Sequence, residues 1–321
     1  MKNKVVFIIP YFGKIPNYFT LWLKSAEKNP EFDFLIYSDL PLRLREHSNV
    51  RQINITFDAV RTKIQEKIPG KICLQTPYKL CDYKPAYGYV FFNEIAEYDF
   101  WGFMDIDLIL GKISDYVTDD LLDKYDKLFF EGHFSLFRNC TLMNQLFFRC
   151  YPRVLNWKYA FTTKYSCHFD ENGTVAWAHE VDAKSGIRFY TAWNFMDVPV
   201  SSYEIGNGKT EGFAIWDDGV LNYYSFDGEK NIELMYIHLQ KREMKGDVLN
   251  DSKRFAIARN SFYDLEKKYT DEYLTRDMDA KNKADFMHTI AKKRRQEKIR
   301  NLKNGALKAR ICRLLLRWKS R

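Results

Sequence analysis

Two carboxylates, Asp105 and Asp107, stand at the end of an apolar, aromatic run of strand length. The run and the pair together read DFWGFMDIDLILGKI over residues 99–113. Because side chains two residues apart in an extended segment point to the same side, both carboxylates can converge on one hard cation. Mg²⁺ or Mn²⁺ held by one or two carboxylates completes its coordination with substrate phosphates. The spacing therefore predicts a divalent metal site.

The Asp-x-Asp pattern alone carries little weight, because the chain contains a second copy. Asp277 and Asp279 lie among charged residues in a segment of predicted helix, where carboxylates usually form a solvated face. Only the first copy follows an apolar strand, so only the first is predicted to bind metal. The alternative for the first pair is a strand end that turns outward.

The elements before the acidic pair predict a parallel sheet that positions it. Val5–Pro10 reads VVFIIP, a β-branched apolar run typical of a buried strand, followed by helix over 17–28 and a second strand over 34–38. This order is a βαβ unit, and ligands of such sheets bind beyond the carboxyl ends of the strands. Tyr11 and Asp39 follow the first two strands, so we expect them at the same edge as the acidic pair.

Basic and imidazole groups are predicted at the same edge. Within residues 79–96, Pro85 suits the first turn of a predicted helix, and Lys84 lies at the start of that helix. Its ammonium suits a diphosphate, although a surface lysine is the alternative. A short strand over 234–237 ends at His238, whose imidazole can supply a third ligand to Mn²⁺. Lys241 follows and can contact phosphate. A histidine satisfied within the core or the surface is the alternative for His238.

A further acidic cluster, Asp170 and Glu171, precedes a helix predicted over 174–183. Such carboxylates can cap a helix or interact with its dipole. The functional alternative is a general base for an acceptor hydroxyl, or a group that orients a donor. The sequence does not separate the two residues.

A predicted acceptor region follows a short strand over 127–130. Gly132 permits close backbone approach, and the polar residues after it include His133 and Arg138. Both are predicted acceptor contacts.

Farther along the chain, the runs 213–216 and 220–224 flank Asp-Asp-Gly and predict a β-hairpin, which adds antiparallel strands to the α/β fold.

The composition indicates a globular chain with a basic C-terminal extension. Hydrophobic residues make up 46% of the 321 positions, and the six cysteines include no CxxC pair, which predicts a reduced, cytoplasmic protein. No apolar run approaches the roughly 20 residues of a membrane span, and the first ten residues are predicted to form a strand, not a signal peptide. Residues 281–321 contain 15 Lys or Arg against two acidic residues, so the basicity lies there.

The end of this extension is a predicted amphipathic helix over Leu307–Trp318. Its apolar residues fall at helical spacing, and Lys and Arg fill the other positions. This pattern favours binding to an anionic membrane surface, with a partner-protein helix or a solvated tail as alternatives. Nucleic acid is not an expected partner, because no base-reading module accompanies the charges.

Six segments in order between residues 4 and 242 read IIPYFG, IYSD, CDYKPAYGYVF, YDFWGFMDIDLILGKI, FDENG and MYIHLQKR. Together they resemble bacterial GT-A glycosyltransferases that build capsule, lipopolysaccharide or other surface polysaccharides. The resemblance implies a GT-A-like, Rossmann-type sheet, mostly parallel and flanked by helices. It implies that Asp105 and Asp107 hold Mn²⁺ or Mg²⁺ against the diphosphate of a nucleotide sugar, with His238 completing the shell. In inverting members an acidic residue at this place is the base, so the resemblance points to Asp170 or Glu171, and the sequence does not decide between inversion and retention.

The expected activity is hexosyl transfer from a UDP-linked or other nucleotide sugar to a glycan or lipid-linked saccharide. Tyr11 and Asp39 are the expected nucleoside contacts. The expected catalytic domain spans 1–245, with a nucleotide-sugar half over about 1–112 and an acceptor half over about 113–245. Residues 246–321 are expected to form a helical extension that holds the enzyme on the inner face of the cytoplasmic membrane. A nucleotidyltransferase of related fold and a non-catalytic, membrane-associated scaffold are the rival hypotheses.

Overall fold

Helices and strands alternate through the first half of the computed structural model, and strands dominate from residue 189 to residue 264. The structure describes residues 1–152, 154–181, 185–192, 194–199, 205, 212–226, 228, 231–242, 244–246, 248, 251–267, 280–303, 307 and 311. Within them the α-helices are α1 (Phe19–Glu27), α2 (Phe57–Lys67), α3 (Tyr87–Val90), α4 (Asp119–Lys124), α5 (Thr141–Asn144), α6 (Trp157–Thr162), α7 (Phe169–Asn172), α8 (Thr174–Val181) and α9 (Ala280–Lys303). Short 3-10 helices cover Pro77–Ala86, Phe92–Ile95, Ile113–Asp115, Leu146–Phe148 and Leu265–Lys267.

The largest sheet has seven strands and is mostly parallel. Its spatial order is β3 (Val50–Asn54), β2 (Phe32–Ser38), β1 (Val5–Pro10), β4 (Phe100–Met104), β7 (Phe134–Arg138), β6 (Lys127–Glu131) and β8 (Phe189–Tyr190). The pairs β1–β2, β2–β3, β1–β4 and β6–β8 are parallel, whereas β7 is antiparallel to both of its neighbours. The predicted mixed α/β class with a mostly parallel sheet is therefore confirmed.

Two smaller sheets complete the fold. A three-stranded sheet has the order β5 (Leu108–Leu110), β13 (Tyr236–His238) and β9 (Phe195–Asp197). A five-stranded antiparallel sheet has the order β12 (Asn231–Glu233), β11 (Val220–Ser225), β10 (Gly212–Asp217), β14 (Arg254–Ala258) and β15 (Ser261–Asp264). The predicted hairpin is thus present as β10 and β11, but it belongs to this separate sheet.

Both faces of the seven-stranded sheet are buried, which explains the continuous apolar sequence of β1. Val6 and Ile8 pack on one face with α2 and the aromatic segments around residues 83–103. Val5, Phe7 and Ile9 pack on the other face with α1. Alternation of side chains along the strand sends successive residues into two cores, so every position in β1 must be apolar.

Residues after 245 do not form only helix, contrary to the sequence expectation. Strands β14 and β15 lie there and join the five-stranded sheet beside β10. β14 pairs with β10, which is distant in sequence, whereas β15 pairs with β14 across the turn at residues 259–260. The helix α9 follows later, whereas the predicted amphipathic helix Leu307–Trp318 lies outside the described residues except for Leu307 and Ile311. The domain division at residue 245 stays a prediction.

The described helices include no candidate membrane span. None of them combines the length and the apolar sequence needed to cross a membrane.

Gly88 provides a test of the packing between α3 and β4. A Cβ at this position would overlap the indole of Trp101, which is fully buried and stacks on Phe137 with ring centroids 4.4 Å apart. We expect Gly88→Ala to lower the free energy of unfolding by about 1–3 kcal/mol, despite the better helix propensity of alanine. Chemical denaturation measures the change.

Glu97→Ala is the matched control for this substitution, because Glu97 is exposed and close to the same helix. An unchanged free energy of unfolding for Gly88→Ala would contradict the prediction, because it would show that the Trp101 indole moves aside at no cost in free energy.

Candidate functional site

The predicted acidic pair lies where β4 ends and β5 begins, and its two members have different surroundings. Asp105 Oδ1 accepts a hydrogen bond from Lys84 Nζ at 2.6 Å, and the side chain remains partly exposed. Asp107 is buried, and its Oδ2 accepts from the backbone N–H of Lys241 at 2.8 Å. Asp107 Oδ1 is also buried, and it has no hydrogen-bond partner among the described residues. A carboxylate oxygen that is buried without a hydrogen-bond partner costs folding free energy unless a cation or a water molecule binds it.

His238 completes a three-residue group with the two aspartates. One ligand atom from each of Asp105, Asp107 and His238 lies within 4.8 Å of the other two. The imidazole Nε2 lies 3.6 Å from Asp107 Oδ2, whereas Nδ1 lies 2.8 Å from Asp197 Oδ1. Because Asp197 accepts from Nδ1–H, Nε2 is left to face the aspartates. Two carboxylates and one imidazole form a donor set that fits Mn²⁺ or Mg²⁺.

The protonation of this group reflects the mutual attraction of its members. Burial lowers the pKa of His238, but the carboxylates of Asp107 and Asp197 outweigh it and raise the pKa to about 9. Burial works to raise the pKa of Asp107, yet His238 and Lys241 lower it to about 2. Positive charge is therefore favoured between the carboxylates, whether a proton or a metal ion supplies it.

His133 lies against the same group. Its ring stacks on that of His238 with centroids 3.9 Å apart, and its Nε2 lies 3.0 Å from Tyr236 Oη. Burial and then the charge of His238 lower the pKa of His133 to about 3, so this ring is neutral. His133, Asp197 and His238 form a second set of potential ligand atoms within 4.8 Å of one another. The predicted role of His133 in acceptor binding stays a prediction.

Lys84 is buried and lies between two carboxylates. Besides its bond to Asp105, its Nζ donates to the Gly132 carbonyl at 2.6 Å and lies 3.5 Å from Asp170 Oδ2. Burial opposes its charge, but Asp105 and Asp170 together raise the pKa of Lys84 above its ordinary value. The ammonium is therefore held charged by this chain's own acids, and it fixes the position of Asp105.

Asp170 and Glu171, which the sequence does not separate, have distinct environments on α7. Asp170 is buried, its Oδ1 has no hydrogen-bond partner among the described residues, and burial raises its pKa well above the ordinary value. Glu171 is exposed. Both carboxylates lie so close to Gly132 that a Cβ there would meet Glu171 Cγ at 2.7 Å and Asp170 Oδ2 at 2.9 Å. Glycine at this turn therefore allows α7 to approach Asp105.

A buried ion pair positions the start of α7. Lys79 Nζ donates to Asp82 Oδ2 at 2.5 Å and to the Tyr165 carbonyl at 2.6 Å. Asp82 Oδ1 accepts from the backbone N–H of Phe169 at 2.8 Å, and Asp82 also accepts from that of Cys167. The pair thus anchors the segment that delivers Asp170.

A cavity of about 1150 Å³ contains most of the predicted site residues. Its lining includes Tyr11, Lys84, Asp105, Asp107, His133, Asp170, Glu171, His238 and Lys241. Tyr11 Oη donates to the Lys14 carbonyl, and Lys241 Nζ lies 4.4 Å from the Tyr78 ring centroid. The cavity is large enough for a ligand of nucleotide size.

Two predicted site residues lie away from this cavity. Asp39 is exposed and is not among the lining residues. Arg138 lies at the far end of β7, where its guanidinium bonds Asp126 Oδ1 at 2.9 Å and backbone carbonyls of Leu122 and Tyr125. The structure therefore does not bring either residue to the acidic pair.

Sequence reasoning missed Asp197 and the contribution of α9. Asp197 ends a three-residue strand, and only the pairing of β9 with β13 places it opposite His238. One face of α9 lines the cavity through Phe286, Ile290 and Lys293. The spacing of these three residues is helical, but it does not tell which surface the helix covers.

Comparison with known proteins gives one family match and one match among solved structures. A family model described as a family of unknown function, DUF6625, matches residues 7–266. Among solved structures, the galactosyltransferase LgtC in complex with donor and acceptor sugar analogs is 12% identical, with a TM-score of 0.30. That match covers 60% of this chain and 75% of LgtC. No curated protein matches the chain.

The Lys79–Asp82 pair leads to a stability prediction. Asp82→Asn keeps an acceptor for the backbone N–H groups but leaves the ammonium of Lys79 buried without its counter-charge. We expect a loss of about 3–5 kcal/mol in the free energy of unfolding, measured by chemical denaturation.

The control is the exposed pair Lys112–Asp115, whose members are also three residues apart and whose charged atoms lie 3.0 Å apart. Asp115→Asn should leave stability nearly unchanged, because solvent screens this pair. Equal effects of the two substitutions would contradict the structural role given to Asp82.

Proposed function

We propose that this chain, which belongs to DUF6625, a family of unknown function, is a metal-dependent glycosyltransferase with a nucleotide-sugar donor. The observation that carries the proposal is the convergence of Asp105, Asp107 and His238 at one wall of a nucleotide-sized cavity. The buried, unpartnered Oδ1 of Asp107 supports a cation at this position. The resemblance of the sequence segments to GT-A glycosyltransferases points to the same reaction.

The three ligand residues would hold Mn²⁺ or Mg²⁺. Such an ion, when bound, neutralises the charge that develops on a departing nucleoside diphosphate. Asp197 fixes the imidazole of His238 so that Nε2 faces the aspartates. Lys84 holds Asp105 in place by donating a hydrogen bond to its carboxylate.

The donor is proposed to lie along the strand ends, with its nucleoside near Tyr11. Tyr11 lines the cavity and follows β1, whose carboxyl end adjoins that of β4. Lys241 lies beside Asp107 through its backbone and is proposed to contact the diphosphate. UDP is the proposed nucleotide.

The two carboxylates of α7 are proposed to have different roles. Asp170 is buried close to Lys84, and its Oδ1 has no hydrogen-bond partner among the described residues, so this oxygen is proposed to accept a hydrogen bond from a hydroxyl of the donor sugar. Glu171 is exposed at the rim of the cavity, so it is the better candidate for accepting the proton of an acceptor hydroxyl.

The proposed acceptor is a glycan or a lipid-linked saccharide of surface polysaccharide synthesis. The basic C-terminal residues are proposed to bring the cavity to the cytoplasmic face of an anionic membrane. This location suits an acceptor whose lipid stays in the bilayer.

Removal of the acidic pair tests the metal site. We expect Asp105→Ala/Asp107→Ala to abolish Mn²⁺-dependent binding of UDP, because the buried ligand set is lost. Sugar transfer from UDP-sugars should fall by a factor of about 10² or more, the effect typical of losing one transition-state charge stabiliser. Calorimetric titration and detection of released nucleoside diphosphate measure the two effects.

The second Asp-x-Asp sequence supplies a matched control. Asp277→Ala/Asp279→Ala removes the same charges outside the described residues and should leave both signals at the parent level. A double mutant at 105 and 107 that transfers sugar at the parent rate would disprove the proposal. Release of pyrophosphate in place of nucleoside diphosphate would favour a nucleotidyltransferase.

Membrane association is tested by removal of residues 304–321. This segment contains six Lys or Arg, and each contributes about 1 kcal/mol near an anionic surface. We expect the shortened protein to lose sedimentation with phosphatidylserine-containing vesicles, while α9 is retained.

Neutral phosphatidylcholine vesicles are the control and should bind neither protein. Undiminished binding of the shortened protein to anionic vesicles would place the membrane-binding surface elsewhere.

A further inference from the structure

The turn that follows β13 contains two residues in a left-handed backbone conformation. The backbone N–H of Arg242 donates to the carbonyl of Leu239 at 2.9 Å, which closes a β-turn with Gln240 and Lys241 at its centre. Their φ angles are 49° and 57°. Turns with two left-handed central residues usually contain Asn-Gly or Asp-Gly, because most other side chains come too close to the backbone there. The Gln-Lys sequence therefore strains this turn.

The hydrogen bonds of the turn are directed at the candidate cation site. The backbone N–H of Lys241 donates to Asp107 Oδ2 at 2.8 Å, and that of Leu239 donates to the backbone carbonyl of Asp107 at 2.8 Å. The turn thus holds one carboxylate oxygen, whereas Oδ1 is buried and has no hydrogen-bond partner within the described part of the chain. Both left-handed residues also line the cavity.

Gln240 links the same turn to a second part of the site. Burial works to raise the pKa of Asp197, but His238 and a hydrogen bond from the side chain of Gln240 lower it. Asp197 Oδ1 lies 2.8 Å from Nδ1 of His238. The turn therefore contacts Asp107 directly and reaches His238 through Asp197.

Both ends of the turn are anchored, which explains how the strain is maintained. Leu239 is fully buried in the core formed by the five-stranded sheet. Arg242 is also buried, and its guanidinium donates to the carbonyls of Arg259 and Pro199. A strained backbone persists only where the surrounding structure fixes it, and such positions cluster at functional sites.

We propose that the turn Leu239–Arg242 positions the cation site, and that Lys241 acts on this site through its backbone. A carboxylate that binds a metal ion through one oxygen is oriented by a hydrogen bond to the other. The left-handed conformation at position 241 aims the N–H at Asp107 Oδ2 and leaves Oδ1 for the ion. This inference rests on the proposed function, because it takes Asp107 to be a metal ligand.

Three substitutions at Lys241 separate the turn from the ammonium. Lys241→Gly, Lys241→Ala and Lys241→Val all remove the charge and keep the backbone N–H. They differ in how well a left-handed backbone is tolerated: glycine adopts it freely, alanine at a cost, and a β-branched residue least of all. A charge effect would make the three variants equal, whereas a positioning role would rank them.

The metal-free, full-length protein is titrated with Mn²⁺ alone, and electron paramagnetic resonance measures the free ion. We expect Lys241→Gly to bind Mn²⁺ at least as tightly as the parent. Lys241→Val should bind at least about tenfold more weakly than Lys241→Gly, the effect typical of losing a group that orients a metal ligand. Lys241→Ala should fall between them. Where circular dichroism shows that Lys241→Val does not fold, the comparison of glycine with alanine decides.

His47 supplies the matched control. It is also left-handed, with a φ angle of 58°, and it is exposed and not among the lining residues. His47→Gly, His47→Ala and His47→Val should shift the thermal midpoint in the same order, but should leave the Mn²⁺ affinity within about twofold, because the site is distant. Equal affinities in the Lys241 series, or the same ranking of affinities in the His47 series, would overturn the proposal.

Sugar transfer by the same proteins distinguishes this inference from the proposed function. Ranked Mn²⁺ affinities in a protein whose parent transfers no sugar would disprove the proposed function and leave the positioning role standing. Transfer by the parent together with equal Mn²⁺ affinities across the Lys241 series would do the reverse. A parent that binds no Mn²⁺ would overturn both.

Discussion

The candidate site depends on the register of the three-stranded sheet. In that sheet His238 pairs with Leu108 on one side and with Asp197 on the other, and Asp107 immediately precedes Leu108. A shift of one residue in β13 would turn the imidazole to the opposite face of the sheet and away from both carboxylates. The backbone N–H of residue 239 bonds the Asp107 carbonyl at 2.8 Å, and the Trp216 indole bonds a β5 carbonyl at 2.9 Å. The first bond continues the pairing between the segments of Asp107 and His238, and the second connects β5 to the five-stranded sheet.

Charge balance at the buried end of the cavity is the second constraint. Asp105, Asp107 and Asp170 converge in a region largely removed from solvent, where unpaired carboxylates repel one another strongly. Lys84 offsets the charge of Asp105 and lies beside Asp170, while His238 offsets that of Asp107. The lysine is part of the scaffold, which explains why its side chain is buried. The proposed metal ion would enter a group already arranged for positive charge.

Local sequence patterns predict the elements whose signals are local. The apolar runs of β1, β2 and β4 and the turn residues between β10 and β11 predict these strands. The carboxyl end of β4 directs attention to Asp105 and Asp107, which the structure places beside His238. Asp197 could not be found in this way, because its significance arises only when β9 pairs with β13. The same holds for β14, whose partner β10 is distant in sequence. Arg138 is predicted as a site residue from its polar type, but its guanidinium bonds Asp126.

The two walls of the cavity differ in how firmly the structure holds them. Asp107 and His238 lie on strands that neighbouring strands pair with, and both are buried or nearly so, which fixes the geometry that metal coordination requires. Helix α9 is exposed along most of its length and contacts the protein through Phe286 and Ile290, beyond the segment that the family model matches. The acidic wall is therefore held in place by strand pairing, whereas the α9 wall is held mainly by side-chain packing.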